Sequence, residues 1–443
     1  MANTQFIFSQ GVYDVRQLLA YLAMMFPIAA LIQPACIIGL LGCTNAVYGQ
    51  LAETQSVEPG PVFGAPAIAM DSPPQLIIDP ARNHIYGREH RTCTGVASMA
   101  ITSKGRLWVA WYSGTTPDAK IETCPNAHVV VSTSGDGGRT WKEVLIIDPD
   151  GSGPLKAVDP RPWVDPSGQL WIIWHVTING VSFKHQFKKV WAITADDAER
   201  EMPVWSSPRF IANGVMLNKP IVLRDGHWLF ANHDRKSEET GLIKSVVSED
   251  RGSTFKVRGK IEVSHKLHAI EPMVVERKNG SLWMLIRTGD YPLAEHGVHQ
   301  SMSTDHGRTW NALTLPNFKH TTSRFYIGRL QSGNLLLVKH SGVDVEPLTL
   351  GKKQRRELTA FISTDDGSTW SRGLVIDGRV GVTYPDAQQH SDGTIYLTWD
   401  YQRSSEQEIL MTTFREEDVL EASDGAIART LVNRRLVNKG GVK

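Results

Sequence analysis

One short motif, repeated four times, most constrains the fold of this chain. It reads SGDGGRTW at 134–141, SEDRGSTF at 248–255, STDHGRTW at 303–310 and STDDGSTW at 363–370. An aspartate that accepts backbone hydrogen bonds, a glycine in the left-handed conformation and a closing aromatic residue are typical of a β-turn at a sheet surface. We interpret the motif as a structural turn and not as a catalytic site.

The spacing of the motif predicts how many repeats the chain contains. The gap between the first two copies is about twice as long as the later gaps, so it holds one degenerate copy that ends at 203–205. Six apolar hairpin segments alternate with the turns, such as GRLWVAWYSG and NGSLWMLIRTG. Short antiparallel units that cannot bury both faces alone stack around an axis. The sequence therefore predicts an all-β fold, a six-bladed β-propeller.

The repeat also predicts approximate boundaries for the blades. A strand at 76–78 is expected to close the ring by joining the last blade. The predicted blades are 95–142, 159–208, 214–258, 268–313, 323–372 and 382–414.

The N-terminal part differs in composition from the repeats. Residues 17–52 contain no charged side chain, and 18–41 are almost wholly apolar. This pattern predicts an export signal or a membrane anchor over 1–49, and LLGC at 40–43 also resembles a lipoprotein cleavage box. A linker rich in Pro, Gly and Ala follows at 50–74, and the propeller is predicted over 75–435. We expect a periplasmic, extracellular or membrane-anchored protein.

Charge and cysteine content exclude some classes of function. The chain has 47 basic and 46 acidic residues, so no global field indicates a nucleic-acid partner. Cys93 and Cys124 lie in the predicted first blade and lack metal-site spacing, but outside the cytoplasm they could form a disulfide. No cofactor and no metal site is predicted, although calcium binding and the oligomeric state are left open.

The predicted hairpin at 268–288 carries a pair of opposite charges. Glu271 enters it, Asn279 and Gly280 form its turn, and Arg287 leaves it. Both charges therefore lie at the same end of the hairpin. A guanidinium group matches a carboxylate in geometry, so this end could bind an anion. The alternative is a surface ion pair, which contributes little to stability.

The repeats and this hairpin resemble the sialidase superfamily of Asp-box propellers over about 75–419. In that family a glutamate that supports the nucleophile precedes a substrate-binding arginine by sixteen residues, as Glu271 precedes Arg287. The last arginine of the family's triad stands just before an Asp-box strand, where this chain has Arg355. The nucleophilic tyrosine opens the final repeat, where this chain has Tyr384.

Two positions depart from the pattern of the family. Its first arginine would fall on Gly95, and its acid/base aspartate would fall on Asn126. An amide cannot protonate a leaving group. The nearby substitutes are Arg91 or Arg88 for the cation and Glu122 or Asp118 for the acid, of which we favour Arg91 and Glu122.

Further polar residues begin the predicted strands of neighbouring blades. Asp159 and Arg161 open the second blade in VDPRPW, and Asn218 opens the third. Because propellers assemble ligand pockets at their axis, these residues are candidates for substrate binding. The alternative is that Asp and Asn residues next to proline simply form turns.

The resemblance implies an exported glycoside hydrolase that removes a terminal acidic sugar, sialic acid or a related one, from a glycan. Tyr384 would attack the anomeric carbon, Glu271 would accept its proton, and the arginines would bind the carboxylate of the sugar. Glu122 would act as general acid and base. Two alternatives remain open, a polysaccharide lyase that acts on uronate-containing glycans and a carbohydrate-binding propeller without catalysis.

Overall fold

The computed structural model describes residues 71–441, apart from 116–125, 152, 179–187, 238, 290–296 and 342–354, and a short pair of strands near the N-terminus. The chain divides into two compact units, Met1–Gly64 and Ala65–Lys443. In the first unit, β1 (Phe6–Phe8) pairs with β2 (Gly11–Tyr13). The rest of the predicted export segment lies outside the described residues. Among the described residues, no helix is long and apolar enough to cross a membrane.

The second unit begins with strand β3 (Gln75–Ile78) and continues as six antiparallel sheets around an axis. The first three blades follow one another along the chain. Blade 1 contains β4 (Cys93–Ile101), β5 (Leu107–Gly114), β6 (His128–Ser134) and β7 (Lys142–Asp148); blade 2 contains β8 (Leu155–Val164), β9 (Leu170–Ile178), β10 (Lys189–Ala195) and β11 (Arg209–Asn213); blade 3 contains β12 (Ile221–Val222), β13 (Trp228–Arg235), β14 (Thr240–Ser248) and β15 (Lys256–Ser264).

The other three blades confirm the predicted six-bladed, all-β propeller. Two short helices, α1 (Glu416–Glu421) and α2 (Asp424–Val432), precede the last strand. Blade 4 contains β16 (Ile270–Glu276), β17 (Leu282–Arg287) and β18 (Val298–Ser303); blade 5 contains β19 (Tyr326–Arg329), β20 (Leu335–His340), β21 (Arg356–Ser363) and β22 (Leu374–Val380); blade 6 contains β23 (Val382–Gln389), β24 (Ile395–Tyr401), β25 (Glu408–Phe414) and β26 (Arg435–Lys439).

The predicted closure of the ring by a strand at 76–78 is wrong. β3 pairs with β7 at the outer edge of blade 1, where Leu76 lies opposite Ile147. The last blade supplies its own fourth strand, because β26 pairs with β25 after the two helices. With that edge filled, the first and last blades meet without a shared strand: the Ser98 hydroxyl and the Met99 amide donate to the Asp386 carboxylate at 2.5 and 2.9 Å.

The repeated motifs form turns, as predicted, and support the packing between blades. In the third copy, the Asp305 carboxylate accepts hydrogen bonds from the amides of Arg308 and Thr309 at 3.0 and 2.9 Å. The closing Trp310 packs against the apolar cluster between blades 3 and 4. The hydrogen bonds from Thr309 hold the pKa of Asp305 below its usual range. These turns fix the blades that carry the site.

Asp305→Ala should therefore lower stability without affecting any site at the axis. Loss of the amide hydrogen bonds should reduce the free energy of unfolding by about 1–2 kcal/mol. Because the pKa of Asp305 is lowered by folding, its contribution is present above its unfolded pKa and disappears as the pH falls. Urea denaturation at neutral and acid pH measures this, and Asp305→Asn, which keeps one acceptor oxygen, should lose less. An alanine variant as stable as the wild type at neutral pH would contradict this role.

Candidate active site

The innermost strands of four blades each contain a β-bulge. The register of β4, β8, β16 and β23 with the neighbouring strand shifts at this point. A non-glycine residue of each bulge is left-handed: Val96, Asp159, Glu271 and Tyr384 have φ of 57°, 53°, 51° and 56°. Bulges redirect side chains, and such strained residues concentrate at functional sites. Three of these four residues are ionisable, and all three were predicted as site residues.

The structure brings Glu271, Arg287 and Tyr384 into direct contact. The Tyr384 hydroxyl donates to Glu271 Oε1 at 2.8 Å. Nη1 of Arg287 donates to the same carboxylate oxygen at 2.5 Å and to the Tyr384 hydroxyl at 2.8 Å. Blades 4 and 6 thus meet at one buried cluster of phenol, carboxylate and guanidinium.

The Glu271 carboxylate is placed to accept the proton of the Tyr384 phenol. Burial would raise the pKa of Glu271, but the charge of Arg287 and the hydrogen bond from Tyr384 outweigh it and lower that pKa. Burial raises the pKa of Tyr384, and Arg287 offsets part of the effect. Glu271 is therefore ionised and Tyr384 protonated at neutral pH. A proton leaving the hydroxyl has an acceptor at hydrogen-bond distance.

Arg355 lies beside the same cluster. Its Nη2 donates to the Thr322 carbonyl at 2.9 Å, and Nε of Arg287 donates to the Thr322 hydroxyl at 3.4 Å. One residue therefore holds both guanidinium groups. The positive charge of Arg355 acts to lower the pKa of both Glu271 and Tyr384, which places it on the same side of the axis.

A third arginine, Arg403, completes the set and was not predicted. Its guanidinium lies 4.0 Å from the centre of the Tyr384 ring, a cation–π contact. Nε donates to Asp400 at 2.9 Å and Nη2 to the Thr383 hydroxyl at 2.9 Å. Within the described part of the chain, Nη1 of Arg403 makes no hydrogen bond. One guanidinium nitrogen can therefore bind a ligand.

Gly95 provides the space that Arg403 occupies. A Cβ atom placed on Gly95 would lie 2.4 Å from Cδ of Arg403, which is far inside van der Waals contact. The position at which the family has its first arginine is therefore empty because another arginine crosses it. A signal existed in the repeat: Arg287 ends the second strand of blade 4, and Arg403 follows the second strand of blade 6 by two residues.

Asp159 is a further carboxyl group near the cluster. Its side chain is 17% exposed, and His175 Nε2 lies 3.5 Å from one carboxylate oxygen. Burial raises the pKa of Asp159, and Arg161 partly opposes this. A carboxyl group that holds its proton to higher pH is suited to act as an acid.

Arg161 and Asn218 were predicted to bind substrate, but the structure buries both side chains beneath the site, where they contact other protein groups. Arg161 is 0% exposed and donates to the carbonyls of Pro160 and Leu217. Burial lowers its pKa to about 9. Asn218 is 4% exposed and accepts hydrogen bonds from Arg324, a second residue that the sequence did not single out. A guanidinium group without access to solvent cannot reach a substrate.

Arg91 is also placed away from the cluster. Its Nη2 and Nη1 donate to the Glu143 carboxylate at 2.6 and 2.9 Å, on the outer strand β7. A buried guanidinium needs a counter-ion, and Glu143 supplies it. The predicted acid Glu122 and its alternative Asp118 lie outside the described residues. Asn126 is half-buried, with φ of 57°.

Two further predictions concern cysteine and metal. Cys93 is disulfide-bonded, and since it is the only cysteine in the described ranges, its partner lies outside them. Its pairing with Cys124 stays a prediction. Across the described residues, no group of three or more His, Cys, Asp or Glu side chains is arranged to hold a metal ion.

Solved structures share this architecture. The Hadza microbial sialidase Hz136 has a TM-score of 0.60 at 19% identity, over 75% of this chain and 68% of that protein. A Dyadobacter fermentans protein of unknown function has a TM-score of 0.56 at 17% identity, over 75% and 95%. The Trypanosoma rangeli sialidase has a TM-score of 0.53 at 15% identity, over 76% and 56%. At such identities these likenesses show the fold.

The fold is therefore that of the sialidase-superfamily propellers. The chain belongs to the BNR repeat-like domain family, whose model matches residues 105–397. No curated protein sequence matches the chain at a significant level.

Gly95→Ala tests the close approach of Arg403. The new methyl group should displace Arg403 and leave Asp400, which is 0% exposed, without its ion-pair partner. Breaking a buried pair should lower the free energy of unfolding by about 3 kcal/mol. Chemical denaturation measures this. Gly378→Ala is the control, because its Cβ would meet nothing within 4 Å. Equal stability of the two variants would contradict the packing described here.

Proposed function

We propose that this protein is an exo-acting glycoside hydrolase that removes a terminal acidic sugar, sialic acid or a close relative, from a glycan. The observation that carries the proposal is the contact of Tyr384 with Glu271 and Arg287, surrounded by Arg355 and Arg403. The Trypanosoma rangeli sialidase solved in complex with sialic acid has the same fold at 17% identity. Its name supports the substrate class, and the contacts within this chain support the chemistry.

The proposed reaction passes through a covalent intermediate on Tyr384. The phenol oxygen attacks the anomeric carbon while its proton moves to Glu271, and the bond to the leaving oxygen breaks as an acid protonates it. The residue that protonated the leaving oxygen then deprotonates a water molecule, which attacks the anomeric carbon. Tyr384 leaves and recovers its proton from Glu271. Two displacements retain the anomeric configuration.

A tyrosine suits a sugar that carries a carboxylate at the reacting carbon. A carboxylate nucleophile would be repelled by that group, whereas the phenol is neutral until it reacts. Arg287, Arg355 and Arg403 come from blades 4, 5 and 6, and guanidinium groups bind carboxylates with directed hydrogen bonds. Binding the substrate's carboxylate there also orients the anomeric carbon toward Tyr384.

Two carboxyl groups are candidates for the general acid and base. Glu122 stands in the loop that the resemblance indicates, outside the described residues. Asp159 is within them, on a bulge like those of Glu271 and Tyr384, and burial raises its pKa. We propose Asp159 as the alternative to Glu122.

Export belongs to the proposal as well. The disulfide at Cys93 fits an oxidising compartment outside the cytoplasm, and the apolar segment over 1–49 would direct the chain there. Whether that segment is cleaved or remains as an anchor is tested by the N-terminal sequence of the mature protein.

Turnover by the full chain of a fluorogenic α-sialoside and of several fluorogenic uronides tests the reaction. We expect release from the sialoside, and Tyr384→Phe should reduce kcat at least about a thousandfold because the nucleophile is gone. The variant should still bind the sugar through its arginines. Tyr396→Phe, on β24 of the same blade, is the matched control and should keep full activity.

The other outcomes decide between the alternatives. Release from a uronide alone would keep the mechanism and change the sugar. A new double bond, seen by its ultraviolet absorbance with a uronate-containing polysaccharide, would show a lyase. Binding without turnover in both the wild type and Tyr384→Phe would show a carbohydrate-binding propeller.

The leaving group identifies the general acid. Loss of the acid should reduce kcat about 10²–10⁴-fold on a natural glycoside, whose leaving group needs a proton. It should have little effect on a nitrophenyl glycoside. We compare Asp159→Asn with Glu122→Gln on both substrates.

The pH profile gives a second readout. If Asp159 is the acid, its raised pKa moves the alkaline limb of the wild-type kcat profile to higher pH. Asp159→Asn then abolishes that limb. A loss of the same size on both glycosides for Asp159→Asn would remove Asp159 from this role.

A further inference from the structure

Lys156 is a buried cation that forms no hydrogen bond or ion pair with any residue that the structure describes. The residue is only 7% exposed. Within the described residues it makes no hydrogen bond and no ion pair, and burial lowers its pKa although the charge of Asp159 opposes this. Removing an ammonium group from water is costly unless an opposite charge compensates. A buried lysine that has no ion pair among the described residues, beside a candidate active site, therefore marks a place where a ligand can supply a negative charge.

Lys156 lies further toward the entrance than the reacting groups. Asp159 is the fifth residue of β8, whereas Glu271 is the second residue of β16. The innermost strands of a propeller all run in the same direction, so residues 155–158 extend beyond the level of the bulges. Lys156 precedes Asp159 by three residues, about 10 Å of strand. That is the distance of a neighbouring sugar and not of the sugar at Tyr384.

The side chain of Lys156 belongs to the wall of the same site. Lys156 and Val158 project from the same face of β8, because side chains alternate along a strand. Val158 packs against the apolar cluster that contains Tyr384. On the same side, burial lowers the pKa of Lys188 to about 8, and the charge of Asp159 opposes this. The buried Lys156 and the half-buried Lys188 therefore both lie near the Asp159 carboxyl group.

We propose that Lys156 binds a carboxylate or sulfate on the sugar next to the terminal acidic sugar, so that the preferred substrates are glycans with acidic groups on two successive sugars. The inference rests on the proposed function, since it takes the terminal sugar to be bound at Tyr384. The three arginines lie on blades 4 to 6, across the ring from blade 2. The two cationic walls thus bind the two anionic groups of one ligand. A lysine, being a point charge, accepts either kind of anion.

Two oligosaccharides that release the same sugar test this subsite. In sialyllactose the terminal sialic acid is attached to a neutral sugar, and in disialyllactose it is attached to a second sialic acid. Lys156→Met keeps the aliphatic chain and removes the charge. We expect kcat/KM to fall about 10–100-fold on disialyllactose, as for a charge-assisted hydrogen bond, and less than about twofold on sialyllactose. The wild-type preference for disialyllactose should weaken with added salt.

Lys104→Met is the control for a lost positive charge. Lys104 is exposed and follows the end of β4, at the opposite face of the propeller. This variant should leave both kcat/KM values unchanged. A loss of the same size on the two oligosaccharides for Lys156→Met, or no loss on disialyllactose, would overturn the anionic subsite and leave the proposed function intact.

The two proposals fail separately. If neither oligosaccharide is hydrolysed, the proposed function fails, and calorimetric binding then decides the subsite. Tighter binding of disialyllactose that depends on Lys156 would support it. Equal affinity for both, or no binding of either, would overturn it.

Discussion

The contact of Arg287 with Glu271 and Tyr384 is the interaction on which the rest of the site depends. A buried carboxylate is stable here only because a guanidinium lies 2.5 Å from it. Two bulged strands, from blades 4 and 6, must therefore deliver their side chains to one point. The left-handed φ of both residues is the local cost of that arrangement. Thr322 and Asp400 then fix the guanidinium groups around it.

A second group of buried charges holds the ring together below the site. Asp386 accepts an ion pair from Lys219 at 2.9 Å and from Arg324 at 3.2 Å, and the Ser98 hydroxyl donates to it. Burial would raise the pKa of Asp386, but these cations lower it to about 2. This network joins blades 1, 3, 5 and 6. It closes the ring where no strand is shared between the first and last blades. It also stabilises β23, the strand that carries Tyr384.

Local patterns made the fold and half of the site predictable. The turn motifs contain both the donors and the acceptors of their hydrogen bonds within a few residues. The separation of Glu271 from Arg287 follows from one hairpin. Arg403 could not be predicted in the same way, because its place depends on the missing side chain of Gly95 in a distant blade. Arg91 was predicted from chain proximity, yet Glu143 on an outer strand competes for it. The prediction that the strand at 76–78 closes the ring was wrong for a similar reason, since β26 occupies the expected edge of the last blade.

Trapping of the covalent intermediate tests the central claim most directly. A difluorinated sialic acid reacts with a retaining enzyme but leaves the intermediate too slowly to turn over. After incubation of the full chain, the intact mass should rise by one glycosyl group, and peptide mapping should place that group on Tyr384. Arg403 and Glu271 should be unmodified. Release of sugar from an unmodified protein, or a label on a carboxylate instead of Tyr384, would contradict the account.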